Sequence, residues 1–402
     1  MSRSSLALNN LRACAILSLL AFHSFLAYLS YLPKTAFPFD SAPYRWVAFP
    51  IIDTQRWFAF DLFCALQDVY LMSLMFFLSG VFVWPSLLRK GDGPFVQSRF
   101  LRLCVPATLV VLVLMPTAHY ATYSVTAIEP GFAAFWEHWR ALPFWPSGPP
   151  WFLWQLFVLN VAAAALFRFA PQWGKLLARA SSSAHADPTR YFFGLVIASA
   201  LAYVPLALLF GPWSWFEYSI FAFQLSRPLH YAVYFFAGVG VGIYGLERGL
   251  LAADGALAQR WATWLAAALV AFVVWMGATA LSLHEYASTM AGAWIVAHLA
   301  FVLACASGCL CALAIFLRFA ARPSPLFGKF ADNAYGIFLV HYVFVVWLQY
   351  ALLDAPFSAV VKGVVVFGGV LMLSYAAASA MQRAPIADRL IGAERRVLAK
   401  AQ

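Results

Sequence analysis

The sequence predicts an all-α polytopic membrane protein with about ten transmembrane helices and both termini in the cytoplasm. Of its 402 residues, 64% are hydrophobic and only 10% are charged, whereas a soluble domain carries about 25% charged residues. The chain also contains ten apolar runs long enough, or nearly so, to cross a bilayer. They are residues 11–31, 69–88, 103–118, 151–167, 191–210, 229–246, 261–283, 292–317, 334–353 and 358–380. Because lipid offers no hydrogen-bond partners to the backbone, each run is expected to be a helix.

The basic residues predict the orientation. With the N-terminus inside, 20 of the 26 Lys and Arg residues fall in cytoplasmic segments, which is the asymmetry typical of membrane proteins. The six on the outer side are Lys34, Arg45, Arg56, Arg140, Arg227 and Lys362. We therefore expect one transmembrane domain over residues 1–381 and a basic cytoplasmic tail over residues 382–402, with the shorter inner segment 171–190 as a flexible connector.

Several classes of protein are excluded by what the sequence contains. The net charge of +10 is scattered between apolar blocks, so it does not indicate nucleic-acid binding. Cys305, Cys309 and Cys311 lie in an apolar run and are expected to be small buried hydrophobic residues rather than metal ligands. A phosphate-binding glycine loop, a His-Glu-x-x-His pair and a Gly-x-Ser-x-Gly turn are all missing from the sequence, which argues against a pump, a zinc protease and a serine hydrolase.

The first run carries the two residues on which the functional hypothesis depends, Arg12 and His23. They are separated by about 16 Å along a helix axis and by about 20° beyond three full turns, so they leave the same face. This spacing predicts Arg12 at the cytoplasmic surface and His23 near mid-membrane. An ionisable side chain at that depth is a functional candidate by default. A plain hydrogen bond from His23 to a neighbouring helix explains the spacing equally well.

A second basic pair, Arg99 and Arg102, lies at the cytoplasmic entrance of the third run. Residues three apart share a helix face, and two guanidinium groups side by side suit phosphate oxygens. The simpler explanation is the ordinary positive charge of a cytoplasmic loop. Together with Arg12, the pair predicts a basic mouth for an anionic ligand.

Two further residues are candidates for supporting roles. Residues 334–342 place His341 about 11 Å into its run, again near mid-depth, which indicates a polar bundle interior. Asp68 begins the second run at its outer end, where it either orients a histidine or lies as a solvated charge at the rim. By contrast, His230 falls near an outer boundary, where an imidazole costs little.

The outer segments 32–68, 119–150 and 211–228 are rich in Trp, Phe, Tyr and Pro. An aromatic belt at the membrane interface is the ordinary explanation. A stacking platform for an apolar acceptor or a sugar ring is the functional alternative.

Five short motifs, taken in order, resemble those of the acyltransferase-3 family of membrane O-acyltransferases. They are Arg12-x10-His23, Phe76-Phe77-Leu78-Ser79-Gly80, Arg99-x-x-Arg102, Trp151-Phe152-Leu153 and the run 333–341 that ends in His341. The similarity spans roughly residues 8–385, and Phe338 stands where the family often has Tyr. The long aromatic outer loops resemble those of the subgroup that modifies periplasmic glucans.

The resemblance implies a function and a division of roles. Such an enzyme moves an acyl group, often acetyl or succinyl, from cytoplasmic acyl-CoA to a hydroxyl of an envelope or extracytoplasmic glycan, in the bacterial inner membrane. Arg12, Arg99 and Arg102 would hold the CoA diphosphate, and a neutral His23 would act as general base. His341, Asp68 and Trp151 would be supporting residues. No metal and no bound cofactor are expected.

A secondary transporter of a small anionic or sugar substrate is the main alternative, because it would also bury His and Arg. Transporters usually carry inverted repeats with broken helices at matching positions. Pro106, Pro116 and Pro205 have no counterparts in the second half of the chain, which weighs against this alternative. A membrane sensor or scaffold is a third possibility; it predicts that replacing His23 or Arg102 changes little.

Overall fold

The computed structural model describes residues 2–182, 184, 187–284 and 290–383, and these are almost entirely α-helical. The α-helices are α1 (Arg3–Phe25), α2 (Phe58–Val81), α3 (Val83–Lys90), α4 (Asp92–Arg99), α5 (Val105–Leu109), α6 (Met115–Thr126), α7 (Phe132–Ala141), α8 (Trp151–Phe169), α9 (Gln172–Ser182), α10 (Pro188–Phe210), α11 (Pro228–Tyr244), α12 (Ala256–Gln259), α13 (Trp261–Leu283), α14 (Ala291–Phe319), α15 (Pro325–Ala351) and α16 (Ala359–Met381). Strands β1 (Trp215–Tyr218) and β2 (Phe221–Gln224) form an antiparallel hairpin between α10 and α11.

Nine helical segments of the described chain are long and apolar enough to cross a membrane. The predicted run 229–246 forms α11, which at 17 residues is at the lower limit of the length that spans a hydrocarbon core of about 30 Å. The predicted fold class, an all-α polytopic membrane protein, is therefore confirmed. The orientation of the chain in the membrane stays a prediction.

Helix α1 begins earlier than its apolar run suggested. The Ser2 hydroxyl accepts a hydrogen bond from the Ser5 N–H at 3.2 Å and caps the helix. The buried Asn10 amide then donates to the carbonyl groups of Ala320 and Arg322 at 2.8 and 3.0 Å, which fixes this end of α1 to the chain before α15. The start that we predicted, at residue 11, was wrong because these polar contacts extend a helix that hydropathy alone does not show.

The third span is not a regular α-helix. Between α4 and α6 it contains two π-helical turns, Phe100–Cys104 and Val110–Leu114. Pro106 and Pro116 lie just after these turns, and a proline removes the N–H that the carbonyl one turn earlier would accept. π-turns of this kind are frequent at functional sites.

Helices α2 and α11 form the centre of the bundle, with a buried apolar cluster on each side. Their backbones meet closely: a Cβ atom added at Gly80 would lie 2.0 Å from the Phe235 carbonyl oxygen, and one added at Gly238 would lie 2.1 Å from that of Phe77. Only glycine fits such a contact, which is a common device for packing helices in lipid. The Phe-Phe-Leu-Ser-Gly motif thus has a packing role at Gly80.

The outer segment between α1 and α2 folds back into the bundle above α1. The Lys362 ammonium group donates to the Asp53 carboxylate at 2.6 Å, with both side chains 1% exposed, and also to the Leu353 carbonyl at 2.9 Å. Since Lys362 and, as described below, Arg227 are buried in ion pairs, two of the six outer cations are not loop charges.

Two of the predicted cytoplasmic segments were a connector over residues 171–190 and a tail over residues 382–402. The segment 171–190 is not a plain connector, because it contains α9, which packs against α11. The tail predicted over residues 382–402 lies, beyond residue 383, outside the described residues.

Candidate active site

His23 and His341, 318 residues apart in sequence, are in direct contact. His341 Nε2 lies 3.2 Å from His23 Nδ1, and the ring centroids are 5.0 Å apart. His23 lies near the outer end of α1 and is partly exposed, whereas His341 on α15 is completely buried. The His23 ring therefore faces α15, and the residue as a whole is partly exposed.

The hydrogen bonds around the pair decide which ring nitrogen holds a proton. His341 Nδ1 lies 2.7 Å from the Phe338 carbonyl oxygen, which can only accept, so Nδ1 carries the proton and Nε2 of the neutral ring is an acceptor. His23 Nδ1 faces two acceptors, this nitrogen and the Leu19 carbonyl oxygen at 3.1 Å. It must therefore donate. In the neutral pair, this assignment leaves the lone pair of His23 on Nε2.

Neighbouring side chains hold this end of α1 in place. The buried Gln349 amide donates to the carbonyl groups of His23 and Ser24 at 3.0 and 3.2 Å. The Tyr342 ring lies edge-on to His23 at 5.6 Å, and its hydroxyl donates to the Val47 carbonyl at 3.3 Å. Helix α15 thus positions the His23 ring through His341 and the α1 backbone through Gln349.

Arg99 and Arg102 lie where the third span changes from α-helix to π-helix. Arg99 ends α4 with its guanidinium over the Phe95 ring at 5.1 Å, and Arg102 lies within the first π-turn. Because a π-turn holds more residues than an α-turn, the α-helical spacing used to predict a shared face does not apply here, and the shared face of the two arginines stays a prediction. Both side chains are partly exposed.

The main chain at Arg102 has an unusual partner. Pro106 has no N–H to donate to the Arg102 carbonyl oxygen, and the Tyr335 hydroxyl donates to this oxygen instead. The interaction joins the Arg-x-x-Arg segment to α15. The same helix carries His341, which follows Tyr335 in the sequence. One helix therefore contacts both the basic pair and the histidine pair.

Arg12 lies nine residues inside α1 rather than at its start, with an exposed side chain. Helix α15 packs against α1 on one side, and through Tyr335 it also contacts the segment of Arg102. The three arginines are thus carried by elements that α15 connects.

Asp68 does not orient His23. Its carboxylate binds Arg227 in a bidentate ion pair, with Nη1–Oδ1 and Nη2–Oδ2 distances of 3.0 and 2.6 Å. Arg227 is 4% exposed and Asp68 is 42% exposed. The alternative prediction, a solvated charge at the rim, agrees with this exposure, but it did not include the buried cation that pairs with Asp68.

Trp151 supports the fold rather than the histidine pair. It begins α8 and stacks on Tyr231 at 5.9 Å, with Trp215 edge-on at 5.6 Å. Tyr231 is stacked in turn on Phe76 of the Phe-Phe-Leu-Ser-Gly motif at 4.8 Å.

In the other half of the bundle, a buried histidine contacts a buried cysteine. His230 Nε2 is 3.4 Å from Cys305 Sγ, and both residues are 0% exposed. His230 lies in the first turn of α11, but the expectation that its imidazole has little energetic cost there was wrong, because the residue is completely buried. The expectation that Cys305, Cys309 and Cys311 are buried, free residues is confirmed.

Sequence reasoning missed Gln349, Tyr335 and the partner of Asp68. Polar residues in an apolar run are a usable signal for Gln349. The signal for Tyr335 is Pro106: because proline has no N–H, the Arg102 carbonyl needs another hydrogen-bond donor. Arg227 gave no such signal, because it precedes α11 and looks like an ordinary loop cation.

The fold and the site together define a class of protein, a polytopic membrane protein with an accessible histidine in its interior and basic residues on the helices around it. A model of the acyltransferase-3 family, described as an acyltransferase domain, matches residues 5–379. The chain belongs to this family and is a multi-pass membrane acyltransferase. A search of curated proteins and a search of solved structures gave no significant match.

Proposed function

We propose that the protein transfers an acyl group from cytoplasmic acyl-CoA to a hydroxyl of an extracytoplasmic glycan, in the inner membrane of a bacterium. The observation that carries this proposal is the contact between His23 and His341, which leaves the lone pair of His23, a partly exposed residue, on Nε2. A base of this kind is what a hydroxyl needs in order to attack a thioester.

The proton transfers follow from this assignment. The acceptor oxygen attacks the thioester carbonyl carbon as His23 Nε2 takes the hydroxyl proton. The resulting imidazolium is stabilised through Nδ1, which donates towards His341 Nε2 and the Leu19 carbonyl oxygen. The tetrahedral intermediate then collapses, the carbon–sulfur bond breaks, and His23 returns the proton to the departing thiolate. An ester and free CoA are the products.

His341 is a positioning residue in this scheme. Its proton on Nδ1 is held by the Phe338 carbonyl oxygen at 2.7 Å, so its Nε2 acts as an acceptor that fixes the His23 tautomer. This is the role that a carboxylate has in a Ser-His-Asp triad. A neutral imidazole avoids burying an additional charge at this depth.

Arg12, Arg99 and Arg102 are proposed to bind the CoA diphosphate on the cytoplasmic side. Guanidinium groups bind phosphate oxygens through charge-assisted hydrogen bonds. Arg12 and His23 differ by about 16 Å along the axis of α1, a separation of the order that an extended pantetheine arm covers. The pantetheine arm would pass along α15, which contacts the Arg102 segment through Tyr335 and His23 through His341.

The test is acyl transfer by the purified full-length protein in lipid nanodiscs. We expect acetyl-CoA or succinyl-CoA to release free CoA thiol only when a soluble β-glucan oligosaccharide is present, and the sugar to gain the acyl mass by mass spectrometry. The same preparation in sealed vesicles separates this enzyme from a transporter. Uptake of sugar or acyl-CoA without thiol release would contradict the proposal.

A further inference from the structure

A second candidate site lies on the far side of α2 from the bulk of the first apolar cluster. It is a shallow pocket, partly open to the outside, between α2, α10, α13, α14 and the turn before β1, and its volume of about 320 Å³ includes open solvent. Its walls are mainly aromatic and imidazole side chains: Tyr203, Trp213, Trp275, Trp294, His298 and Phe301. Trp213 at the rim is 53% exposed, whereas Phe301 and His298 are 3% exposed. In the predicted orientation, the pocket belongs to the outer half of the bundle.

The polar floor of the pocket is the Asp68–Arg227 ion pair. Both terminal nitrogens of Arg227 donate to the Asp68 carboxylate, so the two charges cancel. Arg227 Nε is buried and has no hydrogen-bond partner, although a polar atom in that position normally has one. The guanidinium also lies over the Phe301 ring at 5.0 Å.

This chemistry suits an uncharged ligand with many hydroxyl groups. A carboxylate has about four acceptor positions, and Arg227 uses two of them, so Asp68 can still accept from hydroxyls. Arg227 Nε and the His298 ring add further polar groups. Trp294 is stacked on His298 and lies edge-on to Trp213, with centroids 6.1 Å apart. The exposed Trp213 ring at the rim can pack on the C–H face of a sugar. A strongly charged ligand finds no unpaired opposite charge in this ion pair.

Asp68, through α2, connects the pocket to the part of α1 that carries the candidate base. Cys64 Sγ donates to the carbonyl of Phe22, the residue before His23, at 3.8 Å. Asp68 follows Cys64 by one turn of α2, about 6 Å along its axis. We infer that the pocket binds a neutral sugar unit of the acceptor glycan, adjacent to the unit that is acylated at His23. The inference rests on the proposed function and adds a subsite to it.

The test measures sugar binding in the absence of any acyl donor. The probe is a linear tetrasaccharide of β-linked glucose, titrated calorimetrically into the full-length protein in nanodiscs. We expect saturable binding that weakens roughly tenfold in Trp213→Ala, because one stacking surface is lost. Trp173→Ala is the matched control: this tryptophan is also 53% exposed, but it lies on α9, and its loss should leave the affinity unchanged.

Three results would overturn the inference: no binding of the tetrasaccharide, equal affinity in Trp213→Ala and wild type, or binding of glycerophosphocholine or inorganic phosphate in place of the sugar. The last result would assign the pocket to a lipid headgroup or another anion. The His23→Ala variant separates this inference from the proposed function, because it should still bind the tetrasaccharide while its rate of acyl transfer falls by about 10²–10⁴-fold. If the wild type binds the sugar and Trp213→Ala weakens binding, but acyl-CoA is never consumed, the proposed function fails and the sugar site remains.

Discussion

The two halves of the bundle each contain a histidine that contacts a buried side chain of a later helix, and the two histidines differ in exposure. His23 Nδ1 and His341 Nε2 are 3.2 Å apart, and His230 Nε2 and Cys305 Sγ are 3.4 Å apart. His23 is partly exposed, whereas His230 and Cys305 are 0% exposed. A base must be reached by its substrate, so proximity of two reactive groups alone does not indicate a site. The comparison assigns chemistry to the first pair and packing to the second.

The largest expected effect follows from removing His23. His23→Ala should lower the rate of acyl transfer by about 10²–10⁴-fold, which is the usual contribution of a general base. The measurement is thiol release from acyl-CoA in nanodiscs, with thermal unfolding as a check that the variant is folded. A folded His23→Ala protein with wild-type activity would contradict the assignment of the base.

Removing His341 should have a smaller effect, because it acts through His23. We expect His341→Ala to lower kcat roughly 10²-fold, in line with the cost of misplacing a catalytic group by about 1 Å. KM for both substrates should change little, since His341 is buried and contacts neither in the proposed scheme. A variant that raises KM for acyl-CoA and leaves kcat unchanged would instead indicate a role in donor binding.

Replacing a basic residue tests the proposed binding of acyl-CoA in the half of the bundle that contains His23. Arg102→Ala should raise KM for acyl-CoA about tenfold with kcat largely retained, because a hydrogen bond to a charged group contributes about 1.5–3 kcal/mol. Arg179→Ala, an exposed arginine on α9, is the matched control and should behave as wild type. Equal effects of the two substitutions would mean that Arg102 acts only through general positive charge.

The second pair should show the opposite behaviour. Cys305→Ala is expected to leave acyl transfer within about twofold of wild type, while destabilising the protein by about 1–3 kcal/mol because the His230 ring loses a partner. Thermal unfolding and the thiol-release assay on the same sample measure both quantities. Loss of activity at unchanged stability would show that the His230–Cys305 pair takes part in the reaction.

Hydropathy predicted the apolar spans well, because it is a local property of the chain. The mid-membrane depth of His23 and His341 stays a prediction. The outcome for Asp68 was different: its partner Arg227 is 159 residues away, and local spacing contains no information about such a pair. His230 was misplaced for a related reason, since its burial depends on how α11 packs against α2 and α14. The start of α1 was missed because Asn10 finds its partners at Ala320 and Arg322, on a distant part of the chain.

The central claim is that His341 acts only by holding His23, and a double-mutant cycle tests it most directly. Rates of acyl transfer are measured for wild type, His23→Ala, His341→Ala and the double variant. If His341 works through His23, its removal costs nothing once His23 is absent, so the double variant matches His23→Ala. If the two losses multiply, the histidines act independently and the arrangement described for them is wrong.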